Sequence, residues 1–393
     1  MDRNEVYLKH QRNRKAVSLV KKIAILGAGY FQEPLIIKAK EMGLQVHCFS
    51  WLKDAVCKNL ADKFYPISIT EKEKILMICK DNNIDGIISI ASDIAMTTVS
   101  YVAQNLNLIS NTQEATSISR NKGLTRQYLE KNGLNTPNYW LGTDFTLFDN
   151  TIDYPLIVKP SDSSGSRGIT KVFGKEGLSV AFDWAKSFSL NKKVIIESYI
   201  EGDEVSVETL SYKGNHQVIV VTDKVTTGSP HFVELEHHQP SNLSSNILKS
   251  IEIETINALK SIGITNGSSH IEAKINSNGE VFIIEIGSRM GGDFIGSHLV
   301  ENSTGVDYLK QTIDIAIDNF DSFPKVTKKA FTGIYFISNE TKHLYKYFND
   351  DYDFILEKNF FNKEFKNLKN SNDRSGYLIY NSYKKIDLNK SDE

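Results

Sequence analysis

The 393-residue sequence is poor in the features that mark several protein classes. Its cysteines are only Cys48, Cys57 and Cys79, an odd number without CxxC spacing, which argues against a disulfide framework or a cysteine zinc site. Reduced thiols and a cytoplasmic location are the expectation. No window approaches the roughly 18 consecutive apolar residues of a membrane span. Neither sign of charge dominates: 46 Lys and Arg stand against 48 Asp and Glu, and the net charge of −2 gives no overall pull toward nucleic acid or an anionic membrane. The one basic cluster, Lys9 to Lys22, could suggest a targeting segment, but Asp2 and Glu5 interrupt that N-terminal stretch and no apolar segment with a cleavage site follows. It reads as a solvated arm over 1–21. What remains is ordinary globular composition, 40% hydrophobic and 24% charged, with length for two or three domains.

The apolar run Lys22-Ile-Ala-Ile-Leu-Gly27-Ala-Gly29 precedes helix-like spacing from Phe31 to Gly43 and a second run at Gln45 to Phe49, a βαβ unit. Helix-like stretches at Glu71 to Asn82 and Ile94 to Asn105 flank a strand at Asp85 to Ile90. Residues 22–120 are therefore expected to form a Rossmann-like domain with a parallel sheet covered on both faces. After the amphipathic helix Lys122 to Gly133 the texture changes. Strands at Leu156 to Lys159, Lys193 to Glu197, Val205 to Ser211 and Gln217 to Val221 come mostly without intervening helices, which predicts antiparallel pairing. Thr222 to Asn242 reads as a long polar functional loop. Ile247 to Ile262 reads as a helix, and Ser269 to Ile275 and Val281 to Ile286 as a hairpin joined at Asn278-Gly279. The expected division is a central lobe over 121–211 and a C-terminal lobe over 212–393, with a small terminal subdomain from Ala330 and a frayed end at Lys385 to Glu393.

Gly27-Ala-Gly29 begins a dinucleotide fingerprint, but Gln32 occupies the third glycine position and Phe49-Ser50-Trp51 offers no acid for a ribose. A tight turn is preferred to an NAD-dependent oxidoreductase. A stronger signal is Lys159 at the end of a strand, followed by Ser163, Ser164, Gly165, Ser166 and Gly168. Lysine supplies a point charge for phosphate, and small residues let backbone N–H groups wrap an anion. Glu197-Ser198-Tyr199-Ile200, with Glu204 beyond, can offer backbone groups to an adenine edge and a carboxylate to ribose hydroxyls. Glu272 and Glu285 fall on the two strands of the hairpin, and two such carboxylates call for a cation, which Mg²⁺ bridging to nucleotide phosphates supplies. Arg289 lies just past the second strand, placed to stabilise developing negative charge.

In this order the motifs resemble the ATP-grasp superfamily, and within it the carboxylate–amine ligases that include the L-amino-acid (dipeptide) ligases. The resemblance runs from about Lys22 to about Lys384. It implies an α/β and α+β fold with a Rossmann-like N-terminal domain, a central nucleotide lobe and a mixed C-terminal lobe. It implies ATP with Mg²⁺, or Mn²⁺ in its place; Lys122 and Lys159 on the phosphates; the 197–200 segment at adenine; Glu204 at ribose; and Glu272 and Glu285 on the metal. The family's usual asparagine ligand two residues after the second glutamate is Gly287 here. Glu234 and His237 match the spacing of residues near the substrate amine in the dipeptide-ligase branch, with His237 assisting deprotonation. Arg289 and the N–H groups of Gly291 and Gly292 are the expected oxyanion stabilisers, and Asp293 is a candidate for selecting a polar or cationic substrate. His270 is expected to be structural. The implied reaction joins a carboxylate to an amine through an acyl phosphate, catalysed by Lys159, His237 and Arg289, in a protein that resemblance also allows to dimerise. The alternative is a purine-pathway ligase or carboxylase sharing the same ATP site.

Overall fold

The computed structural model describes residues 20–148, 152–362 and 364–389, so the expected arm lies almost wholly outside it, as does the end of the Lys385 to Glu393 tail. The first sheet contains β1 (Lys22–Leu26), β2 (Gln45–Phe49), β3 (Lys63–Tyr65) and β4 (Gly86–Ile88), all parallel, in the order β3-β2-β1-β4. Ile23 to Leu26 are wholly buried, as a strand covered on both faces requires. Ile23 and Ile25 pack against the helix Glu33–Glu41, and Ala24 and Leu26 against Lys72–Asp81 and Asp93–Leu106. A helix from far along the chain, Tyr308–Ala316, completes the first face.

The glycine turn after β1 is plugged from within. Gly29 N–H donates to Gln32 Oε1 at 3.2 Å, and Gln32 Nε2 donates to the Ile90 carbonyl at 2.8 Å. A Cβ on Gly27, whose φ is +100°, would lie 2.9 Å from the same Gln32 oxygen. The side-chain amide thus fills the cradle in which a dinucleotide pyrophosphate would sit.

The second sheet is antiparallel: β5 (Tyr139–Gly142), β6 (Leu156–Pro160), β7 (Thr170–Val172) and β8 (Val194–Ser198), ordered β5-β8-β6-β7. The helix Leu178–Phe188 covers one face through Leu178, Ala181, Phe182 and Ala185. The third sheet has eight strands: β9 (Asp203–Tyr212), β10 (Asn215–Thr226), β11 (Glu234–Gln239), β12 (Gly267–Ile275), β13 (Val281–Gly287), β14 (Phe331–Ile337), β15 (Ile355–Phe360) and β16 (Gly376–Ser382). Their order is β13-β12-β9-β10-β11-β14-β16-β15. Strands from 331 onward therefore extend the sheet that carries the motif residues, with β14 pairing directly on β11.

One expectation fails. Thr222 to Asn242 is not a long loop: β10 continues to Thr226 and β11 begins at Glu234, leaving only 227–233 as connection. Glu234, Glu236, His237 and His238 of this stretch are buried. His238 contacts Glu236 at 2.8 Å and Tyr380 Oη at 3.0 Å. The register shifts so that Thr226 faces Glu234 while Val225 faces Glu236, a bulge at Leu235. The extra residue turns Glu234 to the same side as His237, so both enter one cleft.

Burial, with Lys63 and Lys22 nearby, pushes the His47 imidazole on β2 down to about 4. The unfolded chain takes up this proton near pH ~6.5, whereas the folded protein refuses it until about pH ~4, so stability falls as pH drops through that interval. A His47→Leu variant is expected to lose less of its urea midpoint over this range than the parent; parallel losses would contradict the assignment.

Candidate active site

The loop 161–169 joins β6 to β7 and delivers the small residues beside Lys159. Gly165 and Gly168 adopt φ of +73° and +76°, and Ser166 between them φ of +54°, a left-handed path that glycine makes accessible. The loop is folded down onto both neighbouring lobes. Lys122 Nζ donates to the Ser163 carbonyl at 2.7 Å, and Ser166 Oγ donates to the Phe232 carbonyl at 3.2 Å and to Glu234 Oε1 at 3.3 Å. Beneath it lies a buried triad in which Glu197 accepts from Arg126 Nε at 2.8 Å and contacts Lys159 Nζ at 2.7 Å. Burial alone would raise the Glu197 carboxyl, but Arg126 and Lys159 more than offset it and hold it ionised. Its carboxylate is thereby committed internally, leaving the backbone of 197–200 to face the small compartment formed with Ile157, Lys159, Tyr199, Glu204 and Ile284.

Glu272 on β12 and Glu285 on β13 stand directly opposite each other in register. In this structure lysines supply the positive charge between them: Lys122 Nζ is 3.1 Å from Glu285, and Lys224 Nζ is 3.2 Å from Glu272. Lys224, missed in the sequence, is buried on β10 and also contacts Glu204 at 2.8 Å and Glu234 at 3.5 Å. Burial would lower its pKa, but the three carboxylates raise it well above the ordinary lysine value. Two partly exposed carboxylates that open toward the cleft fit a hard divalent ion completed by water or phosphate oxygens. Residue 287 has no room to contribute a third ligand. A Cβ there would lie 3.0 Å from Asp93 Oδ1 and 3.1 Å from Arg289 Cζ, because the Asp93–Arg289 pair, 2.9 Å apart, fills that space.

The cleft beyond the carboxylates has a volume of about 350 Å³. Arg289 lines it and retains an unpartnered Nε. His237 is 2% exposed, packs edge-on against Phe336, and has no hydrogen-bond partner on either ring nitrogen; Asp293 Oδ2 is 3.6 Å from its Nε2. Burial lowers its pKa despite Asp293, so the imidazole is neutral and able to accept a proton. Arg374, also missed, bridges the two substrate-side carboxylates, 3.0 Å from Glu234 and 2.9 Å from Asp293. The expected role of Gly291 needs revision. Gly291 N–H is donated to Glu208 Oε2 at 3.1 Å and is not free for an oxyanion; a Cβ at 291 would come within 2.4 Å of Glu208. Asp293, the candidate for selecting a polar or cationic substrate, lines the cleft and is paired to Arg374, as Glu234 is. His270 pairs with Glu208 beneath this turn, as a structural residue would.

Residues 152–297 match the ATP-grasp domain model. These residues form an ATP-grasp domain. The chain is 24% identical over 328 residues to the "ATP-grasp enzyme fsqD" of Aspergillus fumigatus, covering 72% of this chain and 56% of that protein. It is 30% identical over 198 residues to the formate-dependent phosphoribosylglycinamide formyltransferase of Prochlorococcus marinus, covering 48% and 51%. The chain thus spans about half the length of these curated relatives. Among solved structures, the L-amino acid ligase of Bacillus licheniformis superposes with a TM-score of 0.79 at 21% identity over 93% of this chain and 94% of that one, a likeness of fold.

Removing Arg126, wholly buried against Glu197, leaves a carboxylate with half its compensation. An Arg126→Met variant is expected to lose about 3–5 kcal/mol of stability in urea unfolding; a loss below about 1 kcal/mol would show that Lys159 alone suffices.

Proposed function

We propose that this protein is an ATP-dependent carboxylate–amine ligase that joins amino acids through an acyl phosphate and releases ADP and phosphate. The observation that carries the reading is the meeting, in one cleft, of a lysine- and carboxylate-lined compartment with a buried, neutral, unpartnered imidazole, His237. Lys122, Lys159 and the backbone of 163–168 would hold the nucleotide phosphates, with Tyr199, Ile200 and Glu204 on the nucleoside side. Mg²⁺, or Mn²⁺, held by Glu272 and Glu285 would neutralise phosphate charge. The substrate carboxylate oxygen attacks the terminal phosphorus, the bond to ADP breaks, and Lys224 and Arg289 offset the negative charge. Glu234 receives the amine as its ammonium, and His237 takes one proton to free the nitrogen lone pair. The nitrogen then attacks the acyl carbon, the C–O bond to phosphate breaks, and the departing phosphate carries away the second proton. Acyl phosphates hydrolyse readily, and the loop 163–168, closed over Lys122 and Glu234, excludes water.

A purine-pathway reaction is the second reading, favoured by the formyltransferase relatives. Against it, the cleft wall is aromatic, through Tyr30, Phe294, Phe336 and Tyr377, which suits an amino-acid side chain better than a ribose phosphate. Release of ADP with formate or bicarbonate plus a purine precursor, and with no amino-acid pair, would decide for it.

Glu285→Gln is expected to abolish amine-dependent ADP release; an unchanged rate would refute the metal assignment. His237→Gln is expected to lower kcat by about 10²–10⁴ with the KM for ATP preserved. Steady-state ADP assays check both, and a change confined to the KM for ATP would remove His237 from the acyl-transfer step.

A further inference from the structure

The turn that carries Arg289 is held from two sides. From the eight-stranded sheet, Glu208 Oε2 accepts from Gly291 N–H at 3.1 Å. From the parallel-sheet domain, Ala91 N–H donates to the Met290 carbonyl at 3.2 Å. Ala91 takes a left-handed φ of +56°, and the carbonyl of Ile90 just before it accepts from Gln32 Nε2. The glutamine that fills the would-be dinucleotide cradle therefore also pins the 90–93 turn that meets Arg289. At the end of this turn Asp93 opens the helix Asp93–Leu106, and its Oδ2 accepts from Arg289 Nη2 at 2.9 Å.

Arg289 Nη1 donates to the Met290 carbonyl at 3.2 Å, so both terminal nitrogens are occupied and the guanidinium has one pose. Glu285 and Glu208 also attract it, and the bond to Asp93 decides among the three carboxylates. In this pose Arg289 lines both the phosphate compartment, with Lys122, Lys159 and Glu285, and the substrate cleft, with Glu234 and His237. Burial would raise the Asp93 carboxyl, but the Arg289 guanidinium holds it below the ordinary value. Room for the pair comes from Gly287: a Cβ there, 3.0 Å from Asp93 Oδ1 and 3.1 Å from Arg289 Cζ, would force the two to shift by a few tenths of an ångström. A flexible arginine stabilises developing charge best when its orientation is set before the reaction, and here a second domain sets it.

We propose that Asp93 is a positioning residue: from the N-terminal domain it holds the Arg289 guanidinium at the junction of nucleotide and substrate, in space that the missing side chain at 287 leaves open. The rate of reaction then depends on how the N-terminal domain is seated against the turn 287–292. This rests on the amide-forming reading above, in which Arg289 offsets charge during phosphoryl and acyl transfer.

The test uses the full chain, Mg-ATP and a pool of the twenty amino acids, with Asp93→Asn, Gly287→Ala and the two combined. Asp93→Asn is expected to slow ADP release at saturating ATP by about 10–10²-fold, and Gly287→Ala, which keeps both charges, by about 5–10-fold. The KM for ATP and the calorimetric affinity for Mg-ADP should stay at the parent's values in both. Because both changes act on one guanidinium, the double variant should fall within about twofold of Asp93→Asn. An unchanged rate in either single variant, losses that multiply in the double variant, or a loss of Mg-ADP affinity in Gly287→Ala that matches its loss of rate would overturn the proposal and leave the ligase reading intact. Should Asp93→Asn fail to fold, Gly287→Ala alone decides by the same criteria. No ADP release by the parent protein with the pool would instead reject the amide-forming reading, and the assignment of Asp93 with it.

Discussion

Compensation of buried charge around Lys224 is the constraint on which the site depends. One ammonium on β10 faces carboxylates from β9, β11 and β12, so adjacent strands meet through a single cation. A lysine buried alone would shed its proton, and three carboxylates alone would repel; together the carboxylates raise the Lys224 ammonium well above its ordinary pKa. The Arg126–Glu197–Lys159 triad repeats this logic under the central lobe, and the Glu234–Arg374–Asp293 bridge repeats it at the substrate end. The near-neutral composition therefore conceals a cleft of closely alternating charge.

The three sheets divide the labour of placing these groups. The parallel sheet brings Asp93, at the start of its helix, against Arg289, so the N-terminal domain closes one wall of the cleft. The smaller antiparallel sheet carries Lys159 and the glycine-containing loop. The eight-stranded sheet carries the facing glutamates, Lys224 and His237, and its last strands bring the segment bearing Arg374 over the opening. Ser371 Oγ reaches the Gly165 carbonyl at 3.5 Å, so distant parts of the chain touch across the closed loop.

What could be read from the sequence was whatever is encoded locally. The βαβ pattern, the hairpin pairing of Glu272 with Glu285, and Lys159 followed by small residues each reside in short stretches whose spacing reports geometry. The polar run before Asn242 misled because Glu234 is met by Lys224 from the paired strand and by Arg374, and His238 by Tyr380, the last two about 140 residues along the chain and without a local sign. Arg126 looked like one more polar residue of an amphipathic helix, and Lys224 like one more polar residue of the expected loop. Their roles emerge only when sheet register and burial are known. The same holds for Gly291, whose N–H is claimed by Glu208 from a strand more than eighty residues earlier in the chain.

The central claim is that a carboxylate is activated by the terminal phosphate of ATP before an amine displaces it. Incubating the full chain with Mg-ATP and pooled amino acids labelled with ¹⁸O in their carboxylates tests it directly, with mass spectrometry of the phosphate and the amide. The account predicts ADP, an amide product, and phosphate carrying one labelled oxygen from the carboxylate. Unlabelled phosphate accompanying amide formation, or AMP and pyrophosphate in place of ADP, would contradict it.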